Sequence, residues 1–265
     1  MKTIRETTRI VLPEGYSEYV LDADRDVELH LEGSAKSDVY LRIERAGNVT
    51  ISADIHTGAH VSFLVWNASE NPVTFQEDYT VERDAMLRIA YGEVNAAAMH
   101  RKGSVHLIEE GAGALVSSAS LVSDEKDFEL YVINEAPHTE GILQNYAVVL
   151  EGGKFRMDAT GKIVKGAHGA QSHQTSRALC FDEKQNSTIL PKLLIDENDV
   201  QASHATTLGR VDEEQMYYMQ ARGLTVRQCT SLISAGYLLP VTQFIEDETL
   251  KATLREELEK KMEEL

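Results

Sequence analysis

Between about residue 8 and residue 204 the chain is patterned in twos. Short runs of β-branched and aromatic residues recur at Val39–Ile43, Val49–Ile51, Val61–Trp66, Met86–Tyr91, Ser104–Ile108, Phe128–Val132 and Asn145–Leu150. Many alternate apolar with polar positions, the signature of a strand with one buried face. Glycine-containing turns separate them, at Gly47-Asn48, Thr57-Gly58, Gly111-Ala112-Gly113 and Gly152-Gly153. No helix-length segment of period 3.6 interrupts the series. That leaves a sandwich, a barrel, a propeller or a β-helix. The strand starts near 39, 61 and 86 lie about one coil apart, which favours a β-helix over a sandwich.

The period changes after His204, which the pattern places between a strand end and a helix start. Asp212-Glu213-Glu214-Gln215 reads as a capping box, Met216 and Met219 continue the helix, and Arg222-Gly223 stops it. Thr225 caps a second helix with Cys229, Leu232 and Ile233 on one face and Gly236 at its end. Pro240 separates this from a third segment, Glu246 to Leu265. There Leu250, Leu254, Leu258 and Met262 form a stripe at spacing four, read as packing against core or a partner helix. The expected fold is mainly β: a β-helix core over residues 1–208 and a small C-terminal α-helical domain over 209–265.

Charge narrows the function classes. With 26 Lys plus Arg against 43 Asp plus Glu, the formal charge is −17, and no stretch concentrates cations. Phosphate backbones need clustered cations, so nucleic acid is not an expected partner. No apolar run approaches the roughly 18 residues of a membrane span, and the charged N-terminus has no signal-peptide core. A cytoplasmic location is expected and a membrane association is not.

The two cysteines, Cys180 and Cys229, are read as free thiols, and Cys229 as a buried structural one. His168, His173, Cys180 and His204 lie close enough in sequence to suggest converging metal ligands, although the first two also read as exposed polar residues. His56 and His60 flank a glycine turn and are read as structural. Motifs of serine hydrolases, P-loop proteins and zincins are absent, and no carboxylate pair stands out.

The stretch Ala202–Leu224, ASHATTLGRVDEEQMYYMQARGL, is similar to the C-terminal signature of the SufB/SufD family, scaffold subunits of the SUF iron–sulfur assembly machinery. Asp199-Val200, Ser203-His204 and Gly209 form one part of the match. Asp212–Gln215 with Tyr217-Tyr218 forms the second, and Arg222-Gly223-Leu224 with the following helix to Gly236-Tyr237 the third. The segment from Gln174 to Pro191, with Leu193–Ile195, resembles the family's last coil.

The resemblance implies a β-helix with a helical C-terminal domain, working as a homo- or heterodimer joined near the end of the β-helix. It implies a SufC-type ABC ATPase as partner, bound through the C-terminal helices. Gln215, Tyr217, Tyr218, Arg222 and Gly223 are the candidate contacts, the tyrosines being equally readable as packing onto the β body. It implies a transient iron–sulfur cluster, with His204 in the position of the signature histidine at the dimer interface. Cys180 is a second ligand candidate; two chains would supply two of each.

The sequence also departs from the pattern. Ala205 stands where SufB-type proteins carry Glu, and Ala202 where SufD-type proteins often carry Cys. Ser176 or Arg177 falls near the upstream SufB cysteine, and the long N-terminal helical region of larger members is absent, as in a minimal member. Two other readings stay open. One is a regulatory partner of the ATPase that carries no cluster. The other is a β-helix carbohydrate-active enzyme, which a 6% aromatic content with one tryptophan, Trp66, does not favour.

Overall fold

A computed structural model describes residues 1–181, 186–244 and 247–263. In chain order its strands are β1 (Lys2–Ile4), β2 (Thr8–Val11), β3 (Gly15–Asp22), β4 (Val27–Gly33), β5 (Lys36–Arg45), β6 (Asn48–Ile55), β7 (His60–Asn67), β8 (Val73–Val81) and β9 (Met86–Glu93). They continue as β10 (Met99–Leu107), β11 (Gly113–Val122), β12 (Glu125–Asn134), β13 (Glu140–Val149), β14 (Lys154–Ile163), β15 (Gln171–Cys180), β16 (Ser187–Ile195) and β17 (Gln201–Arg210). Helices α1 (Glu213–Ala221) and α2 (Val226–Leu238), a 3-10 turn (Leu239–Phe244) and α3 (Glu248–Glu263) follow.

Odd-numbered strands form one parallel sheet in the order β1-β3-β5-β7-β9-β11-β13-β15-β17, and even-numbered strands a second, β16 through β2. Each chain segment therefore crosses from one sheet to the other and returns one strand further on. This is a flattened parallel β-helix, as the coil-length spacing predicted. Starts at residues 36, 60, 86, 113, 140, 171 and 201 give coils of 24 to 31 residues.

The period-two pattern has a direct structural meaning here. In-register pairing stacks identical phases, so inward residues line up as rows: Val39, Phe63, Ile89, Val116 and Leu143 follow one another across five strands. Each is buried, at 3% exposure or less. A one-residue slip in any strand would turn its apolar phase outward, so every row fixes the register of its neighbours.

The outer face of the odd sheet is buried as well. Tyr40, Leu64, Trp66, Ala90, Ala119, Tyr146 and Val148 form one apolar cluster with Leu238, Val241, Leu250, Leu254, Leu258 and Met262. The spacing-four stripe of α3 is thus packed onto the solenoid, each side chain contributing about 1.5–3 kcal/mol by burial. Glu257 pins the helix further, accepting hydrogen bonds from Arg42 Nη1 at 2.6 Å and Tyr40 OH at 3.3 Å.

Several expectations need correction. His204 does not sit at a junction: it lies within β17, which runs on to Arg210. Helix α2 continues through Gly236 to Leu238, because Gly236 keeps helical backbone and caps nothing. Its buried side is Cys229, Ser234 and Leu238; Leu232 is 56% exposed. At α1, Asp212 accepts from the Glu214 N–H at 2.9 Å; the reciprocal capping box occurs instead at α2, between Thr225 and Gln228. The predicted ends of the third segment, at residues 246 and 265, lie outside the described residues.

Candidate functional site

Both sheets end at the last coil. Among the described residues, strand β17 pairs with β15 on one side and with no strand on the other, and β16 terminates the even sheet in the same way. An open edge presents unpaired backbone donors and acceptors. The local sequence of β17, QASHATTLGR, is small and polar, and residues 201–208 are all exposed. Leu190, Leu194, Ile195 and Leu208 add exposed apolar side chains around this edge.

His204 stands in the middle of that strand. Register pairs it with Gln174, which is buried at 3%, so His204 continues an inward-facing row beyond the last covered coil. The row thus begins in the apolar core and ends on an exposed imidazole. One residue before it, Ser203 Oγ lies 2.7 Å from His173 Nδ1 on the opposite face of the sheet. His168 is elsewhere, in the turn before β15, where its ring stacks edge-on against His138 with centroids 5.2 Å apart.

Cys180 ends β15 and pairs in register with Arg210. It is therefore six residues along the strand from the level of His204, roughly 20 Å at about 3.3 Å per residue. Its side chain is buried at 2%, with Sγ 3.5 Å from Ser187 Oγ. It borders a groove of about 440 Å³ together with Arg210, Glu213, Met216 and Thr230. Within one chain, then, His168, His173, Cys180 and His204 do not converge. No group of three His, Cys, Asp or Glu side chains among the described residues is placed to hold a metal. Cys229 is fully buried on α2.

Helix α1 joins this edge to the helical layer. It has no buried residue. Tyr217 is 76% exposed and Tyr218 58%, so neither packs onto the β body. Arg222 lies over the Tyr218 ring at 5.0 Å, and Gly223 closes the helix with φ +95°, a conformation glycine adopts without cost. Val226 and Leu232 of α2 extend this exposed surface.

Sequence reasoning missed a buried ionic group in the solenoid interior. Arg101 bonds both Glu77 and Glu93, at 2.6 Å to the latter, and its guanidinium stacks on Phe75 and Tyr91. Lys126 lies 3.9 Å from Glu93 and donates to Ala97 O at 2.7 Å. All four charged side chains are fully buried. Burial pushes the Glu77 carboxyl up against the pull of Arg101, and pushes the Lys126 ammonium down against the pull of Glu93. The available signal was phase: Glu77, Arg101 and Lys126 each occupy the inward parity of an otherwise apolar strand.

This architecture is a parallel β-helix that ends on an exposed histidine-bearing strand and carries an exposed helix beside it. The chain belongs to the SUF system FeS cluster assembly SufBD core domain family, whose model matches residues 17–237. It is 30% identical over 182 residues to the iron-sulfur cluster assembly protein SufD of Bacillus subtilis, covering 68% of this chain and 42% of that protein. It is 22% identical over 224 residues to SufB of the same organism, covering 83% and 48%. A SufBD family protein of Mycobacterium tuberculosis matches at 26% over 164 residues, covering 61% and 19%. The chain spans less than half the length of these relatives. No described helix is long and apolar enough to cross a membrane.

Proposed function

We propose that this chain is a non-enzymatic scaffold subunit of iron–sulfur cluster assembly, acting in the cytoplasm. In this reading residues 1–208 form its β-helical core and residues 209–265 its ATPase-binding domain. The open β17 edge pairs with a second copy or a paralogue, and α1 with the start of α2 docks a SufC-type ABC ATPase. The observation that carries the reading is the coincidence of His204, the exposed edge and the exposed α1 within one family-matched segment.

The cluster is cargo in this reading, not a resident cofactor. Among the described residues one chain brings too few ligands together, so this reading puts assembly between chains, where an edge-to-edge pair brings two copies of His204 together. A neutral imidazole can bind iron there or accept a proton. Cys180 is the second candidate, reached through the groove beside Arg210 rather than from the edge. Tyr217, Tyr218 and Arg222 supply the aromatic and cationic anchors that dominate interface cores, with Gln215 and Gly223 beside them.

Anaerobic co-purification with a SufC-type ATPase, followed by iron and sulfide analysis of the wild type, His204→Ala and Cys180→Ser, tests this reading. Co-elution with cluster in the wild type and loss in His204→Ala is expected. Co-elution without iron in any form would replace it by a regulatory partner that carries no cluster. Absence of co-elution would remove the ATPase from the reading.

A further inference from the structure

Gln174 is the last covered member of the inward row that ends on His204. Val39, Phe63, Ile89, Val116 and Leu143 precede it, so a polar side chain here interrupts an otherwise apolar row. It is 3% exposed. Burying an amide is unfavourable unless both of its ends find hydrogen-bond partners.

One end does. Gln174 Nε2 donates to Lys192 O of β16 at 2.7 Å, and because a carbonyl only accepts, this bond sets which end of the amide is the oxygen. The side chain thus crosses the interior to the even sheet. It is wedged there beside Gly161, where a Cβ would strike Ser172 Oγ and lie 2.9 Å from Gln174 Nε2. The Oε1 atom is buried and meets no donor among the described residues. An acceptor left in this state costs about 1–3 kcal/mol.

The surroundings narrow the choice of donor. Leu143 on the preceding strand and Leu193 across the interior carry none in their side chains. Ser172 packs at the nitrogen end, and Ser176 is engaged with Asn145 Nδ2 at 3.2 Å. On the following strand the register partner is His204, whose ring can donate from either nitrogen. Adjacent strands lie about 4.8 Å apart, a separation that a hydrogen bond between side chains on one face spans. His204 is exposed, so its ring has room to turn toward the amide.

We propose that Gln174 is a positioning residue for His204: Oε1 accepts the N–H of one ring nitrogen and holds the other, unprotonated, toward the open end of the solenoid. The imidazole is then fixed in one tautomer and one orientation before anything binds it. On the scaffold reading above, from which this consequence follows, the bare nitrogen is the one offered to iron. A partner on the second nitrogen orients a histidine ligand and raises its basicity.

The test is long-range proton–nitrogen NMR of the imidazoles in the isotope-labelled full chain, without iron or ATPase, at a pH where histidine is neutral. The His204 signals are those lost in His204→Ala. A single tautomer is expected in the wild type. Gln174→Met, close in volume but without the amide oxygen, should convert it to a mixture of both. Ser172→Ala, one inward position away, should leave it as it is. Gln174→Met should also lower the iron retained on anaerobic reconstitution about tenfold, the size typical of losing a ligand's hydrogen-bond partner. A mixture already present in the wild type overturns the proposal without recourse to any variant. An unchanged tautomer in Gln174→Met, or an equal change in Ser172→Ala, overturns it as well. A shifted tautomer with unaltered iron content upholds the pinning of His204 and counts against the scaffold reading instead.

Discussion

Arg101 holds Glu93 through a 2.6 Å ion pair in which neither side chain retains any solvent exposure. The same guanidinium serves Glu77, so one cation compensates two carboxylates in the solenoid interior. Removing it leaves Glu77 without its cation and Glu93 with only Lys126 at 3.9 Å, and breaking a buried pair from one side costs about 3–5 kcal/mol. Arg101→Met, close in volume but uncharged, should therefore lower the unfolding free energy by at least that amount in urea. A combined Glu77→Leu, Glu93→Leu, Arg101→Met, Lys126→Met variant should recover most of the loss, since well-packed apolar replacements of buried ion groups are often neutral. Equal damage in the single and quadruple variants would show that these side chains are needed for shape rather than charge.

Acid stability should be set by turn carboxylates that clip one coil to the next. The Asn48 N–H and side chain hold the Asp26 carboxyl below its ordinary range. His56, then the Thr57 N–H, does the same for Glu82, and the N–H groups of Asn198 and Gly166 for Glu197. A carboxylate with a lowered folded pKa contributes stability that is fully present above its unfolded value and lost as pH falls through the folded one. The thermal midpoint should accordingly drop as pH is lowered from about 5. Asp26→Asn, Glu82→Gln and Glu197→Gln together should flatten that drop while lowering the midpoint at neutral pH. Differential scanning calorimetry at several pH values decides it.

How much of this was legible in the chain follows from phase. The even-numbered strands have one apolar and one more polar face, so period two marks them; odd-numbered strands such as β7 and β11 are buried on both faces, and the spacing-four leucines of α3 mark the side that covers them. Strand β17 escapes the rule because both its faces are exposed; without a buried phase, ASHATT reads as a junction and His204 appears to end a strand. The Glu77–Arg101 pair is 24 residues apart, and only the in-register stacking of coils brings its members together. Cys180 sits on the inward phase of β15 and is covered by the solenoid core, with Sγ 3.5 Å from Ser187 Oγ of the facing sheet.

Trp66 lies across the backbone of Gly92 on the neighbouring strand. A Cβ built there falls 2.2 Å from the indole, inside any permitted contact. Gly92→Ala must therefore push the ring outward into the layer that α3 occupies, and overpacking of this kind costs about 1–3 kcal/mol. A red shift of tryptophan emission and a lower thermal midpoint are expected together. Unchanged emission would mean that the strand, not the ring, yields.

In the proposed pairing through β17 a charge on that edge is disruptive, because a second strand laid against it would have to desolvate the ammonium. Ala205 is exposed, lies next to His204 and pairs in register with Thr175. Ala205→Lys should leave the circular dichroism and thermal midpoint of the isolated chain within experimental error. It should also shift the chain from dimer to monomer in light scattering coupled to gel filtration. In the presence of a SufC-type ATPase the same variant should still bind through α1, since Tyr217 and Tyr218 are remote from the substitution in sequence and wholly outside the strand. Loss of ATPase binding together with the dimer would tie the two contacts into one surface, and a persisting dimer would place self-association away from the open edge.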